Sequence, residues 1–127
     1  MKTLLWLDDV RDPSEDDWLV FSPIQRPFET VWVKNYQEFV DWITENGLPD
    51  GICFDHDLGF TNEYYIENNL ESPDPDKTGM DCAKWLVEYC MDNNKTLPLF
   101  KSQSANPAGR SNILSLLINF KEHQSQE

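Results

Sequence analysis

With 127 residues, 39% hydrophobic and 26% charged, the chain has the size and composition of a single globular domain with a real core. Lysine and arginine number 10 against 23 aspartates and glutamates, a formal net charge of −13. That balance repels a phosphate backbone and excludes non-specific binding to duplex DNA as an expected role; a phosphate-bearing substrate would need a local basic group or a bridging cation.

In chain order, TLLWL (3–7) has the pattern of a buried strand that stops at Asp8-Asp9. Residues 10–28 carry Pro13, Pro23 and Pro27 among many acids and predict loop or short turns. TVWVK (30–34) predicts a second strand. Asn35 with Glu38 gives a capping signal for a helix whose apolar face is Phe39, Val40, Trp42 and Ile43, with Gly47 as its stop. GICF (51–54) predicts a third buried strand, ending at Asp55-His56-Asp57. Residues 60–77 are polar, hold Pro73 and Pro75, and make a long excursion of the kind that is often functional. Thr78 and Asp81 form a capping box for a helix lined by Met80, Cys82, Ala83, Trp85, Leu86, Tyr89 and Cys90. LPLFKS (97–102) predicts a fourth strand. Asn106-Pro107 opens a last helix with Ile113, Leu114, Leu116, Leu117 and Phe120 inside.

Three cysteines without CxxC spacing fit reduced core thiols and a cytoplasmic setting. MKTLLWLDD is too short an apolar run for a signal peptide, and nothing approaches a transmembrane span, so no membrane partner is expected. His56 and His123 are the only histidines, which leaves no His-rich zinc site.

The alternation of strands and helices predicts an α/β fold with a parallel sheet of about four strands and flanking helices. Ligand sites in such sheets lie beyond the carboxyl ends of the strands. Asp8-Asp9, Asp55-His56-Asp57 and the segment Ser102 to Asn106 all fall there. Carboxylates gathered at one edge repel, so either they hold protons or a hard cation sits among them. Oxygen-only ligands favour Mg²⁺, Mn²⁺ or Ca²⁺ over zinc. Asp8, Asp9 and Asp55 or Asp57 are the candidate metal ligands. A lone strand-end aspartate is usually a solvated turn cap; clusters at several strand ends point to function. Two readings of His56 stand: a general acid or base, or a hydrogen-bonding anchor for the long loop. Ser104, Asn106, the start of the last helix and Arg110 form a candidate anion pocket, with Lys101 and Arg11 as nearby cations.

The chain resembles a response-regulator receiver domain: LLWLDD is similar to its acidic first strand, PDGICFD places Asp55 at the phospho-acceptor, and TGMDCAKWL is similar to the helix that follows. The first receiver helix is replaced by the loop 10–28, and the flavodoxin-like sheet is expected to be truncated after the fourth strand and helix, without the receiver's fifth strand and its lysine. A closer resemblance is to the cyclic-phosphate-processing receiver domains, whose motifs LDDxRxP, DHDLG, TGxD and HSxNxxG correspond here to Leu7–Pro13, Asp55–Gly59, Thr78–Asp81 and Gln103–Gly109. Gln103 stands where that family usually has histidine, and glutamine cannot shuttle a proton at neutral pH.

The resemblance implies a receiver-like domain over 1–120 with a polar tail at 121–127. It also implies a metal-dependent phosphoesterase acting on a small phosphate ester or a cyclic phosphate at an RNA end, in RNA-repair-like chemistry. Asp8, Asp9 and Asp55 would hold Mg²⁺ or Mn²⁺. Asp55, His56 and Asp57 would be the catalytic group, and Arg11, Lys101, Ser104, Asn106 and Arg110 would hold the substrate. The alternative is a non-enzymatic module that binds a metal, a phosphate ligand or a protein partner whose nature the sequence leaves open.

Overall fold

A computed structural model of the chain describes residues 1–9, 11–15, 18–56, 58 and 77–125. Four strands, β1 (Lys2–Leu7), β2 (Phe28–Val33), β3 (Gly51–Phe54) and β4 (Leu99–Ser102), form one sheet in the order β2-β1-β3-β4. Every pair is parallel, with Leu7 beside Val33 and Phe54, and Phe54 beside Ser102. The four carboxyl ends therefore share one edge, and the two central strands place their exits there side by side. The helices are α1 (Tyr36–Asn46), α2 (Gly79–Asn93) and α3 (Pro107–Ser125). This is the parallel α/β sheet that the alternation predicts, and it has the receiver-like, flavodoxin-like form that the resemblance implies. The long excursion expected at 60–77 lies almost wholly outside the described residues.

The central strands read as unbroken apolar runs because both of their faces are covered. Leu5, Leu7, Ile52 and Phe54 face the helices and pack with Phe39 and Ile43 of α1, Cys82, Ala83, Leu86 and Cys90 of α2, and Ile113 and Leu117 of α3. Leu4, Trp6 and Cys53 face the other way, where a helix would be expected. They are covered instead by Ile24 with Trp18, Leu19, Phe21, Phe28 and Trp32. Trp18–Phe21 forms a single turn of 3-10 helix. The acidic, proline-bearing segment thus contributes a second core as well as turns.

Local signals set the helix starts. Glu38 N–H donates to Asn35 Oδ1 at 2.8 Å, while the Glu38 carboxylate accepts from the Lys34 N–H at 3.1 Å, one residue earlier than in a standard capping box. At α2 the Asp81 carboxylate accepts from the Thr78 N–H at 2.8 Å. Helix α3 continues through Ser125, so the polar segment expected as a tail from 121 begins as solvated last turns of the helix, with Gln124 Nε2 donating to Lys95 O.

Candidate metal and phosphate site

Beyond the ends of β1 and β3 the sheet ladder continues for one residue. Asp8 N–H donates to Val33 O and Asp55 N–H donates to Leu7 O, both at 3.0 Å. These bonds fix the backbones of the two aspartates as rigidly as strand residues, and their side chains meet. Asp8, Asp9 and Asp55 are all buried. One carboxylate oxygen of each lies within 4.8 Å of the other two. Two oxygens that each sit 2.0–2.6 Å from one hard cation are separated by at most roughly 4–5 Å. The spacing, the oxygen-only donor set and the burial therefore fit Mg²⁺, Mn²⁺ or Ca²⁺.

The cost of this clustering falls on Asp55. Its carboxyl is pushed up from 3.8 to about 7, first by burial and then by the negative charges of Asp8 and Asp9, against the opposing pull of Arg11. Arg11 Nη1 lies 3.2 Å from Asp8 Oδ2 and 3.8 Å from Asp55 Oδ1. One guanidinium is thus shared between two of the three acids.

Three tryptophans hold the turn that carries Asp8 and Arg11. Trp32 Nε1 donates to Asp8 O at 2.8 Å, and Trp6 Nε1 donates to Arg11 O at 2.9 Å. The Trp18 ring lies under the Arg11 guanidinium, 5.1 Å from its centroid. The Asp8 carboxylate closes the same turn by accepting from the Arg11 N–H at 2.9 Å. Sequence reasoning did not assign these tryptophans to the site. Trp6 and Trp32 are in register on neighbouring strands, a pairing that becomes visible only once the sheet order is known.

His56 sits where β3 leaves the sheet, clamped between two helix starts. Its carbonyl accepts from the Gly79 N–H at 2.8 Å. A Cβ at Gly79 would collide with the Asp55 carbonyl, and a Cβ at Gly109 would collide with the His56 ring. The glycines of the TGMD and QSANPAG motifs are thus contact points that let α2 and α3 close on Asp55 and His56. The His56 ring lies against the start of α3 at Gly109. Asp57 and Gly59, the other ends of the DHDLG motif's chemistry, lie outside the described residues.

The fourth strand supplies a chain of side-chain bonds. Ser102 Oγ donates to Phe54 O at 2.7 Å and accepts from the Ser104 N–H at 3.3 Å; Ser104 Oγ accepts from the Asn106 N–H at 3.2 Å. Asn106 Oδ1 then caps α3 by accepting from the Gly109 N–H at 2.9 Å. Pro107 has no N–H, and the Arg110 N–H goes to Asn106 O at 2.9 Å. Of the first-turn amides, Ala108 is the one this cap does not engage, so an anion at this helix start would draw on that amide and the dipole. Arg110 is exposed in the same turn. Lys101 is exposed in register with Cys53, on the sheet face away from the helices, and its charge acts on that thiol, which burial pushes up to about 12.

Gln103 follows β4 and is buried. Its Nε2 donates to Leu7 O at 2.9 Å and to Asp8 Oδ2 at 3.2 Å. It therefore ties the fourth strand's exit to Leu7 and Asp8 at the first strand's exit. No helix among the described residues is long and apolar enough to cross a membrane.

No curated protein and no solved structure matches the chain at a significant level. The profile of one protein family does match, over residues 3–119, and so spans all four strands, the acidic cluster and most of α3. The chain belongs to the cyclic-phosphate processing receiver domain family.

Proposed function

We propose that the chain is a metal-dependent phosphoesterase that hydrolyses a cyclic phosphate on a nucleotide or an RNA end. The observation that carries this reading is the burial of Asp8, Asp9 and Asp55 with ligand oxygens within 4.8 Å of one another, at the sheet edge where ligands bind. These three aspartates would hold Mg²⁺ or Mn²⁺. A divalent cation there would supply Lewis-acid polarisation of a phosphoryl oxygen and a nucleophile at neutral pH.

The remaining roles belong to the chain. Arg11, already fixed beside Asp8 and Asp55, would turn its guanidinium towards the phosphate once a cation takes over the neutralisation of the acids. Ser104, Asn106 and the Ala108 amide at the start of α3 would orient the ester, with Arg110 and Lys101 adding charge from exposed positions. His56, with Asp57 beside it in sequence, would move the proton to or from the leaving oxygen. The three buried cysteines, none of them in a disulfide, support a reducing, cytoplasmic setting.

A second reading, a receiver-like module that binds metal and a phosphate ligand without turnover, is favoured by Gln103. The carboxamide holds Asp8 but cannot transfer a proton. Calorimetric titration of Mn²⁺ and Mg²⁺ tests the step common to both readings. Wild type should bind one ion, and the Asp8→Ala/Asp55→Ala variant should lose it. No binding, or equal binding by the variant, removes the metal site and the phosphoesterase with it.

A further inference from the structure

The Gln103 carboxamide has one end accounted for. Its nitrogen must be the end that meets Leu7 O and Asp8 Oδ2, because a backbone carbonyl and a carboxylate both need a donor. That fixes the opposite end as Oε1. This oxygen is buried in a residue only 5% exposed and has no hydrogen-bond partner among the described residues. A buried acceptor left without a donor is costly and rare. The two ends of a carboxamide are about 2.2 Å apart, so Oε1 lies beside the acidic cluster, within one water's reach of it. Asp8, Asp9 and Asp55 supply only acceptors once ionised, and Arg11 is engaged with Asp8 and Asp55. A small O–H donor that enters together with whatever neutralises the acids would supply the missing partner.

We infer that Gln103 is a positioning residue for bound water: its Oε1 accepts a hydrogen bond from one water in the hydration shell of the divalent cation held by Asp8, Asp9 and Asp55. This rests on the cation reading above. It gives Gln103 two tasks. The Nε2 end orients Asp8 as a ligand, and the Oε1 end orients one water relative to the ligand phosphate. Both are hydrogen-bonding tasks that need no proton transfer, so a glutamine suffices for them.

The test uses Mn²⁺ as the probe, with the whole chain at pH 8. Water-proton relaxation of the saturated Mn²⁺ complex reports how long waters reside on the ion, and calorimetry reports its Kd. In wild type one water should exchange slowly. Gln103→Met should weaken Mn²⁺ binding by about tenfold and shorten the water residence time by roughly twofold or more. Gln103→His, whose neutral ring keeps one donor and one acceptor, should restore both. A residue that only braces Asp8 would change the Kd and leave the residence time of bound Mn²⁺ unaltered, and that result overturns the inference. If Gln103→Met does not fold, Gln103→His and Gln103→Leu are compared on the same two readouts, and equal residence times again overturn it. Wild type that takes up no Mn²⁺, or an Asp8→Ala/Asp55→Ala variant that takes it up equally, overturns the cation reading itself and is seen before Gln103 is altered.

Discussion

Metal-free stability should fall as pH rises, and Asp55 should be the reason. In the unfolded chain its carboxyl titrates near 3.8; in the fold, burial and the charges of Asp8 and Asp9 push it up to about 7. Between those values the folded state holds a proton that the unfolded state has lost. Stability from this group is therefore complete below about pH 4, declines as pH rises through the interval, and is fully lost above about 7. A rise from 3.8 to about 7 corresponds to a ceiling of ~4 kcal/mol. Asp55→Asn abolishes the effect but removes the partner 3.8 Å from Arg11, so the expected net gain at pH 8 is nearer ~2 kcal/mol. For a domain of this size that is a rise of roughly 6–10 °C in melting temperature. Calorimetric melts in chelator from pH 5 to 8, for wild type and Asp55→Asn, read it directly. Wild type should lose stability across the range, the variant should lose much less, and the two should converge near pH 5. Added Mg²⁺ should raise wild type at pH 8, as expected of an ion that binds the ionised fold and not the unfolded chain. The reasoning is refuted if wild type gains stability from pH 5 to 8 with Asp55→Asn following it in parallel, or if the variant melts well below wild type at pH 8.

Three further outcomes follow from contacts around the site. Gly109→Ala should cost about 1–3 kcal/mol and displace His56, seen as a lower melting temperature and a shifted His56 imidazole resonance; an unmoved resonance contradicts the packing assigned to that ring. Trp32→Phe leaves the Asp8 carbonyl without its indole donor and should cost about 1–2 kcal/mol, with Mn²⁺ affinity falling as the Asp8 turn loosens; unchanged affinity would separate that hydrogen bond from the site. Gln103→His should raise turnover and add a limb to the pH–rate profile near pH 6–7, whereas a profile unchanged in shape assigns position 103 no part in moving protons.

The sheet and its acidic edge were legible because each signal was local. LLWL and GICF are apolar without alternation, as strands covered on both faces must be, and each ends abruptly at aspartate. The caps at Asn35, Thr78 and Asn106 were legible for the same reason. What could not be read was set by contacts far apart in sequence. Trp18, Phe21 and Ile24 cover one face of the sheet from within an acidic, proline-bearing segment whose composition signals loop. Trp32 reaches Asp8 across 24 positions, and Gln103 reaches Leu7 across 96. The motif glycines were visible as letters, but the carbonyl of Asp55 and the ring of His56 that exclude a side chain there were not.

The most direct measurement of the central claim is product formation from 2′,3′-cyclic nucleotides, beside linear phosphate esters, with Mg²⁺ or Mn²⁺ present. The account predicts slow turnover of the cyclic substrate that requires the metal, is lost in Asp55→Ala, and rises in Gln103→His. It is contradicted if neither wild type nor Gln103→His exceeds a metal-only blank while inorganic phosphate still binds the protein. The chain would then be a receiver-like module that holds its ligand without hydrolysing it.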